Sequence, residues 1–512
     1  MTSPDAPPAL YAAHEPVFPR RVKGTFRTLK WVIMIVTLGI YYVTPWIRWD
    51  RGPSMPDQAV LVDLANRRFF FFMIEIWPHE FYFVAGLLIM AGLGLFLFTS
   101  ALGRVWCGYA CPQTVWTDLF ILVERWIEGD RNARVRLYHQ KWNGQKIGLR
   151  AFKYSVWFLI ALATGGAWIF YFTDAPTLFY SLIHGTAHLV AYITMGVLTF
   201  TTFFFGGFAR EQICIYACPW PRIQAAMMDE DTLVVGYRWW RGEPRGKLKK
   251  GAPVAERAAE PPAVSAPAPA IDLAGNIAAG LPIATAAPAE DRQGDCIDCM
   301  ACVNVCPVGI DIRNGQQLEC ITCALCIDAC NEVMDRIGRP RNLIGYMALK
   351  DEIEEQAGGH PRNLWRHIFR PRTILYTALW SGIGVALVVA LFMRSPIGLN
   401  VTPIRNPLFI TMSDGAIRNA YEIRLHNKHG DARQFHISVT GDLPLDVALE
   451  GRSETYVEVP ADATVTQRVY VTAPAGSTAA DAGRIDIRFW VLDLGQTTER
   501  VSYATVFNGK GR

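Results

Sequence analysis

Long apolar runs dominate the hydrophobic pattern of about the first 400 residues. Most of them approach the roughly 20 residues that a helix needs to cross the hydrocarbon core of a bilayer. A helix satisfies its own backbone hydrogen bonds there, which a loop cannot do. Helices buried in a soluble core are the alternative, but Trp or Tyr near the ends of several runs is typical of membrane interfaces. The pattern predicts five membrane-spanning helices, in Trp31–Trp46, Phe81–Ser100, Tyr154–Phe172, Leu189–Phe208 and Ile374–Met393.

Short alternating segments replace the long apolar runs after the fifth predicted span. Residues 421–425, 435–439, 468–471 and 484–490 alternate between apolar and polar side chains, with turn residues between them. Such alternation is typical of half-buried β-strands, and about seven strands in some hundred residues are typical of an immunoglobulin-like sandwich. We therefore predict an all-β immunoglobulin-like domain over residues 404–512, which contains no cysteine.

The distribution of Lys and Arg predicts the orientation of the spans, because cytoplasmic loops carry the excess of both. The loop 173–188 has neither residue, and four arginines in the first predicted loop (48, 51, 67 and 68) argue against the assignment. We expect the N-terminus and the 220–373 region to be cytoplasmic and the C-terminal domain to be periplasmic, in a bacterial inner membrane. The cationic residues of the loop after the second span decide this: Arg104, Arg125, Arg131, Arg134, Arg136, Lys141, Lys146, Arg150 and Lys153.

Composition supports a protein that lies partly in a membrane. Hydrophobic residues make up 51% of the chain and charged residues only 19%. A formal net charge of +4 is too small to indicate binding to nucleic acid. We therefore expect the membrane, and no nucleic acid, among the partners of this chain.

Eight of the twelve cysteines form two runs with the spacing of bacterial ferredoxins. Three cysteines at steps of three hold one [4Fe–4S] cluster, and the fourth cysteine of each run holds the other cluster. Structural zinc is the alternative, but zinc sites usually use two Cys pairs separated by a longer loop. The predicted ligand sets are Cys296, Cys299, Cys302 and Cys330 for one cluster, and Cys320, Cys323, Cys326 and Cys306 for the other.

The remaining four cysteines form a second, duplicated motif. Cys107-Gly-Tyr-Ala-Cys111-Pro112 follows the second predicted span, and Cys214-Ile-Tyr-Ala-Cys218-Pro219 follows the fourth. Two thiols four residues apart face the same side of a helix, so four thiols from two repeats can converge at their interface. Three interpretations stay open at this point: a site for a soft metal, copper above all, a redox dithiol relay, and structural packing at the span ends.

These features divide the chain into six parts. They are a cytoplasmic N-terminal tail (1–30), a four-span membrane domain with both Cys-x-x-x-Cys-Pro motifs (31–219), a basic juxtamembrane segment with an Ala/Pro-rich linker (220–294), a 2[4Fe–4S] ferredoxin-type domain (295–373), a fifth transmembrane helix (374–393) and the periplasmic immunoglobulin-like domain (404–512).

This combination resembles the cytochrome c oxidase accessory protein family, which includes FixG, RdxA and CcoG. Further stretches that carry the resemblance are 57–63, 72–81, 335–341 and 405–415. The resemblance implies a membrane-bound iron–sulfur protein that reduces Cu(II) to Cu(I) for assembly of the cbb3-type oxidase. It also implies oxidase assembly factors as partners, and an electron donor that the sequence does not identify.

A rival interpretation keeps the clusters and changes the electron partners. In that hypothesis the chain oxidises a quinol in the membrane and passes the electrons to a soluble reductase. The sandwich domain and the four resembling stretches favour the copper hypothesis, while the Cys-x-x-x-Cys-Pro motifs alone are compatible with both. A redox sensor and a non-enzymatic assembly scaffold are further alternatives.

Overall fold

The computed structural model describes residues 16–52, 55–247, 294–356, 359, 363–395, 397–496 and 499–511. The chain forms two compact units. The first contains Met1–Pro45 and Pro78–Gly384, and the second contains Trp46–Trp77 and Val385–Arg512. The predicted Ala/Pro-rich linker falls within 248–293, which lies outside the described residues.

Helices make up most of the first unit. Five segments are long and apolar enough to cross a membrane, which confirms the predicted five-span architecture: Thr25–Trp46, Tyr82–Leu102, Gly144–Ile169, Leu189–Ala217 and Pro371–Phe392. The helices up to residue 227 are α1 (Thr25–Val43), α2 (Tyr82–Leu102), α3 (Val105–Tyr109), α4 (Pro112–Glu128), α5 (Arg131–His139), α6 (Gly144–Ile169), α7 (Ala175–Ile183), α8 (Leu189–Phe204), α9 (Arg210–Gln212) and α10 (Trp220–Met227).

The third span helix, α6, begins ten residues before the apolar run that predicted it. Asn143 caps its first turn by accepting a hydrogen bond from the Lys146 backbone N–H at 2.8 Å. The Lys146 ammonium donates to the carbonyls of Tyr138 and Gln140. Hydropathy placed this cationic stretch in a loop, but its charges have protein partners, so the helix continues through it.

A buried ionic network joins α4, α5, α6 and the end of the fourth span. Glu124 accepts from Arg134, Lys153 and Arg210, and Glu128 pairs with Lys153 at 3.0 Å. Burial alone would raise the pKa of Glu124, but the three cations outweigh it and hold that pKa well below its usual range. The network fixes Arg210, four residues before Cys214, against the helix that follows Cys111.

The ferredoxin-type region contains short helices around a two-stranded antiparallel sheet. Strand β4 pairs with β5, with Val234 opposite Met347. Arg238 forms an ion pair with Glu355 at 2.8 Å, and Arg241 forms one with Asp295 at 2.6 Å. The elements of this region are β4 (Val234–Tyr237), α11 (Trp239–Gly242), α12 (Ala301–Val305), α13 (Leu325–Ile337), β5 (Ile344–Met347) and α14 (Leu349–Gln356). They are followed by α15 (Leu364–Ile368) and by the fifth span helix, α16 (Pro371–Phe392).

The segment that precedes the linker is therefore part of the ferredoxin-type fold. The sequence predicted a basic juxtamembrane stretch there. Two of its arginines, Arg238 and Arg241, are instead paired with carboxylates of the cluster-binding region. The same region also holds the first span, because Asp328 in α13 accepts hydrogen bonds from the backbone N–H groups of Arg27 at 2.8 Å and Phe26 at 3.4 Å. Those N–H groups lie in the first turn of α1, where a helix has no internal acceptor.

The second unit contains a β-sandwich, which confirms the predicted immunoglobulin-like domain. One sheet has the order β10-β12-β8-β6, with β7 paired to β8, and the other has the order β11-β9-β13-β14. Its strands are β6 (Ile397–Pro403), β7 (Ile410–Thr411), β8 (Ile417–Asn427), β9 (Arg433–Gly441), β10 (Asp446–Leu449), β11 (Tyr456–Val459), β12 (Thr464–Ala473), β13 (Arg484–Asp493) and β14 (Arg500–Asn508), with helix α17 at Thr478–Asp481.

The segment between the first two spans packs against this sandwich. It forms a small antiparallel sheet of β1 (Val60–Asp63), β2 (Arg68–Phe71) and β3 (Ile74–Ile76). Arg68 forms an ion pair with Asp462, and the rings of Trp77 and His426 lie 4.1 Å apart. The two segments are separated by four spans, an even number of crossings, so they lie on the same side of a membrane, as their shared unit requires.

Candidate iron–sulfur and thiol site

The two ferredoxin runs have the same backbone conformation. In the first run Asp298 and Met300 have φ values of 52° and 58°, and in the second Thr322 and Ala324 have 54° and 59°. Left-handed conformations are uncommon for residues other than glycine. Each run therefore turns its chain sharply between the first three cysteines, and a short helix then carries the third cysteine and brings the chain to the fourth.

The predicted ligand sets are grouped in space. Cys306, Cys320, Cys323 and Cys326 line one apolar cavity together with Val235 and neighbouring aliphatic residues, and Cys302 of the other set also borders it. In the other set, Cys330 lies close enough to Cys296, Cys299 and Cys302 for their charges to interact. Free thiols around a small apolar cavity fit a [4Fe–4S] cluster. The assignment of each cysteine to a cluster stays a prediction.

The two Cys-x-x-x-Cys-Pro motifs share a distinctive helix ending. The Cys111 backbone N–H donates to the Trp106 carbonyl at 2.9 Å, and the Cys218 N–H donates to the Ile213 carbonyl at 2.8 Å. Both are five-residue steps, so each helix widens into a π-type turn, a feature frequent at functional sites. The sequence predicted each pair on one face of a continuous α-helix. The helix instead ends within each motif, because the second cysteine has an extended ψ and a proline follows it.

The four cysteines of these motifs line a single cavity. Cys107, Cys111, Cys214 and Cys218 border a space of about 840 Å³ beside the α2 and α16 helices. Cys107 is buried, and the other three are partly buried. The structure thus brings together the thiols of both repeats, in the arrangement that the duplicated motif indicated. It does not place any of them in a disulfide.

A buried glutamine holds the first of these thiols. Cys107 Sγ donates to Gln224 Oε1 at 3.0 Å, and Gln224 Nε2 donates to the Thr99 hydroxyl at 3.1 Å. Burial, and then the nearby Cys111, raises the pKa of the Cys107 thiol to about 12. The neutral thiol is therefore the stable form without a cation, and a bound metal ion would favour the thiolate.

The first motif lies directly against the second ferredoxin run. A Cβ atom on Gly108 would lie 2.6 Å from the Ile321 carbonyl oxygen and 3.0 Å from the backbone of Cys323. The Tyr109 hydroxyl donates to the Cys323 carbonyl at 3.1 Å. Arg104 donates to the Leu318 carbonyl and, at 2.9 Å, to the Cys320 carbonyl. Contacts from three residues, Arg104, Gly108 and Tyr109, thus join the thiol cavity to the loop that carries two predicted cluster ligands.

The second motif makes a different contact with its surroundings. Ile215 stands where the first motif has Gly108, and it packs at the edge of an apolar cluster that includes Cys107 and Cys323. Tyr216, the counterpart of Tyr109, is 65% exposed. The repeats are therefore equivalent in their thiols and different in their contacts with the ferredoxin-type region.

Sequence reasoning missed two polar residues of this site. Arg104 was counted only as a cytoplasmic charge, and Gln224 was not singled out. Their partners lie far along the chain: Arg104 is 216 positions from Cys320, and Gln224 is 117 from Cys107. The one available signal was the glycine in the first motif, because the second motif has isoleucine at the same position.

Comparison with known proteins decides the family. The chain is 66% identical over 512 residues to protein RdxB of Cereibacter sphaeroides, with all of both chains covered. It is 59% identical over 486 residues to protein RdxA of the same organism, covering 95% of each chain. The chain belongs to the FixG and RdxA family. Nitrogen fixation protein FixG of Rhizobium meliloti is 49% identical over 495 residues, covering 91% of this chain and 88% of that protein.

Domain matches agree with the FixG and RdxA assignment. Residues 387–510 match the "IG-like fold at C-terminal of FixG, putative oxidoreductase". Residues 209–265 and 283–349 match a "4Fe-4S dicluster domain", and 83–130 match a "4Fe-4S binding domain". A crystal structure of a FixG-related protein from Vibrio parahaemolyticus aligns with 23% of this chain and 99% of its own, at 21% identity and a TM-score of 0.20. The chain is thus an iron–sulfur membrane protein of this family.

Proposed function

We propose that this chain reduces Cu(II) to Cu(I) at the four cysteines of its two Cys-x-x-x-Cys-Pro motifs. One observation carries the proposal: Cys107, Cys111, Cys214 and Cys218 border one cavity, and the first motif lies in backbone contact with the ferredoxin run at Ile321 and Cys323. [4Fe–4S] clusters held by the eight ferredoxin cysteines would supply single electrons. Copper is the substrate, not a resident cofactor.

The chemistry of the four thiols suits this reaction. Thiolates are soft ligands and select Cu(I), so binding of the ion at this site favours its reduced form. Gln224 and Thr99 orient the Cys107 thiol, and the Glu124–Arg210 ion pair positions the second motif against the first. Reduction adds one electron to Cu(II), and a thiol that binds the ion releases its proton to water.

The proposed destination of Cu(I) is a cbb3-type cytochrome c oxidase, reached through oxidase assembly factors. This part of the proposal rests on the family alone, and the C-terminal sandwich is the proposed docking domain. Deletion of the gene should lower the copper content and activity of the oxidase, and added copper should restore both. An oxidase that keeps its copper in the deletion strain would contradict this destination.

We also propose that the N-terminus and the cluster-binding region are cytoplasmic and the sandwich periplasmic, in a bacterial inner membrane. Four arginines of the first loop seemed to oppose this orientation. Arg48 pairs with Asp57, Arg51 donates to backbone carbonyls within the loop, and Arg68 pairs with Asp462. Three of the four therefore serve the fold of the second unit.

The orientation is tested by labelling an introduced cysteine. A membrane-impermeant maleimide added to intact spheroplasts should label a Gly451→Cys variant in the sandwich. It should label a Gly148→Cys variant, at the start of α6, only after lysis. The reverse pattern would refute the orientation.

Copper reduction is tested on anaerobically purified full-length protein. The protein is reduced with dithionite, the excess is removed, and Cu(II) is added with a chelator that reports Cu(I). Matched double variants, Cys107→Ser with Cys111→Ser and Cys214→Ser with Cys218→Ser, should each abolish Cu(I) formation if one ion needs both motifs. Full activity of either double variant would exclude a four-thiol copper site.

Iron analysis separates this proposal from a third cluster at the same thiols. Two [4Fe–4S] clusters predict about eight iron atoms per chain, unchanged in both double variants. A content of about twelve, falling to about eight in the double variants, would assign the four thiols to iron instead of copper.

The position of the cavity beside membrane spans favours a second candidate, a quinol-oxidising subunit that passes electrons to a soluble reductase. The two candidates differ in the electron acceptor. Cluster oxidation by a soluble protein acceptor, without any Cu(I) formation, would favour the second.

A further inference from the structure

The cavity beside the four thiols is much larger than a metal ion requires. The sulfur ligands of an ion such as zinc lie only about 2.3 Å from it. A cavity of about 840 Å³ is far larger than the space between such ligands. That volume falls within the roughly 300–1,000 Å³ typical of sites for whole small molecules. The cavity also follows α2 from Leu87 to Phe98, which corresponds to about 16 Å of helix.

The walls of the cavity select an apolar ligand that arrives from the bilayer. Leu87 and Phe98 on α2 are each 53% exposed, on a helix long and apolar enough to cross a membrane. Trp380 of α16 borders the same space, and its indole N–H donates to the Met90 carbonyl at 3.0 Å. A ligand confined between two spans in this way reaches its site through hydrocarbon.

The cavity has a polar end at Arg104. This side chain is 3% exposed, and its Nε atom has no hydrogen-bond partner within the described residues. A buried donor without an acceptor raises the free energy of the folded protein, so an acceptor is expected at this position. A carbonyl or hydroxyl oxygen on the ligand would satisfy it. Because Arg104 also donates to the Cys320 carbonyl, that oxygen would lie next to the loop that carries predicted cluster ligands.

We propose that this cavity binds a lipid-soluble quinol, which is the electron donor of the protein. The inference rests on the proposed function only in taking the cluster sites as electron carriers. Oxidation of the quinol to the quinone breaks two O–H bonds and releases two protons and two electrons. The ferredoxin cysteines would hold the two [4Fe–4S] clusters that take up these electrons, one each. The protons pass to water by way of the second cavity, of about 440 Å³, that Arg104 also lines.

The test uses full-length protein in lipid nanodiscs with decylubiquinone as the probe. Trp106, Trp220 and Trp380 border the cavity, so bound quinone should quench tryptophan fluorescence with a saturable dependence on concentration. With anaerobically prepared, oxidised protein, one decylubiquinol should reduce two clusters, followed by the loss of visible absorbance.

A pair of glycine variants locates the binding site. Gly92 borders the cavity, and a Cβ atom there meets nothing within 4 Å. Gly92→Phe therefore places its ring in the cavity. It should raise the quinone concentration needed for half-maximal quenching about tenfold or more, and Gly92→Leu should raise it less. Gly196→Phe is the matched control, because Gly196 also lies in a span and has open space around it but does not border the cavity. Iron content verifies that each variant is folded.

Three results would overturn the inference: no saturable quenching, equal behaviour of Gly92→Phe and Gly196→Phe, or displacement of the quinone by dodecanol as effectively as by another quinone. The last would show a cavity for lipid chains alone. Copper reduction without any quinone reaction would overturn this inference and leave the proposed function standing. Quinone reaction without Cu(I) formation would overturn the proposed function and support this inference.

Discussion

Replacement of Gly108 by alanine should separate the thiol cavity from the ferredoxin run. A Cβ atom at this position would lie 2.6 Å from the Ile321 carbonyl oxygen, and ordinary contacts begin at 3.4 Å. The α3 turn must therefore move by about 0.8 Å, and the atoms that oppose it belong to the backbone and cannot rotate away. Overpacking of this kind costs about 1–3 kcal/mol.

The displacement should also slow copper reduction. A misplacement of about 1 Å can cost a reaction roughly a hundredfold, so we expect the rate of Cu(I) formation by Gly108→Ala to fall about tenfold or more. The assay is the chelator measurement on reduced protein, together with the temperature at which the cluster absorbance is lost. That temperature should also fall.

The control is Gly148→Ala in α6, where a Cβ atom meets nothing within 4 Å. Alanine in a helix is favoured over glycine by about 1 kcal/mol, so this variant should be as stable as the parent or more so, with an unchanged rate. A Gly108→Ala protein with the stability and the rate of the parent would show that the close approach at Ile321 has no role in electron transfer.

Three further predictions concern buried polar groups. Glu124→Gln leaves Arg134, Lys153 and Arg210 without their shared carboxylate and should lower the free energy of unfolding by about 3–5 kcal/mol. The control is Glu332→Gln, in an exposed pair with Arg336, which should lower it by less than about 0.5 kcal/mol. Thermal unfolding of the two variants and the parent measures both effects. Because the pKa of Glu124 is lowered to about 2, its contribution is fully present above the unfolded pKa of about 4.5 and is lost progressively as the pH falls through the folded pKa. Gln224→Leu should destabilise the protein by about 1–3 kcal/mol and weaken Cu(I) retention in a chelator competition, and unaltered retention would exclude a role in holding Cys107. Asp328→Ala should cost about 1 kcal/mol and increase hydrogen exchange at the start of α1, and exchange equal to the parent would contradict the capping role.

Most of the architecture could be predicted from local patterns in the sequence. The five spans and the sandwich each follow from a periodicity that is visible within about twenty residues, and the ferredoxin runs follow from the spacing of their cysteines. The start of α6 was misplaced because hydropathy reads Lys146 and Lys153 as exposed charges, whereas both are buried and have protein partners. Pairing of a charge depends on residues that are distant in sequence.

The candidate site was predictable only in part for the same reason. The duplicated motif indicated that Cys107 and Cys214 belong to related sites, because repetition is visible in one chain. The contact of Gly108 with Ile321 crosses more than two hundred positions, and nothing local indicates it. The unsatisfied Nε atom of Arg104 is likewise a property of the folded site within the described residues, since the neighbours of this side chain come from several separate segments.

The contact between the first loop and the sandwich joins two segments that are synthesised at very different times. Arg68 and Asp462 are 394 positions apart, and ribosomes add about 5–20 residues per second. The first loop is therefore synthesised about 20–80 s before its partner. During that interval Arg68 lacks its Asp462 partner, and the small sheet of β1, β2 and β3 lacks the surface on which it packs. The sandwich thus completes a segment that is made much earlier, and a chain cut before Val385 would leave that segment without its partner.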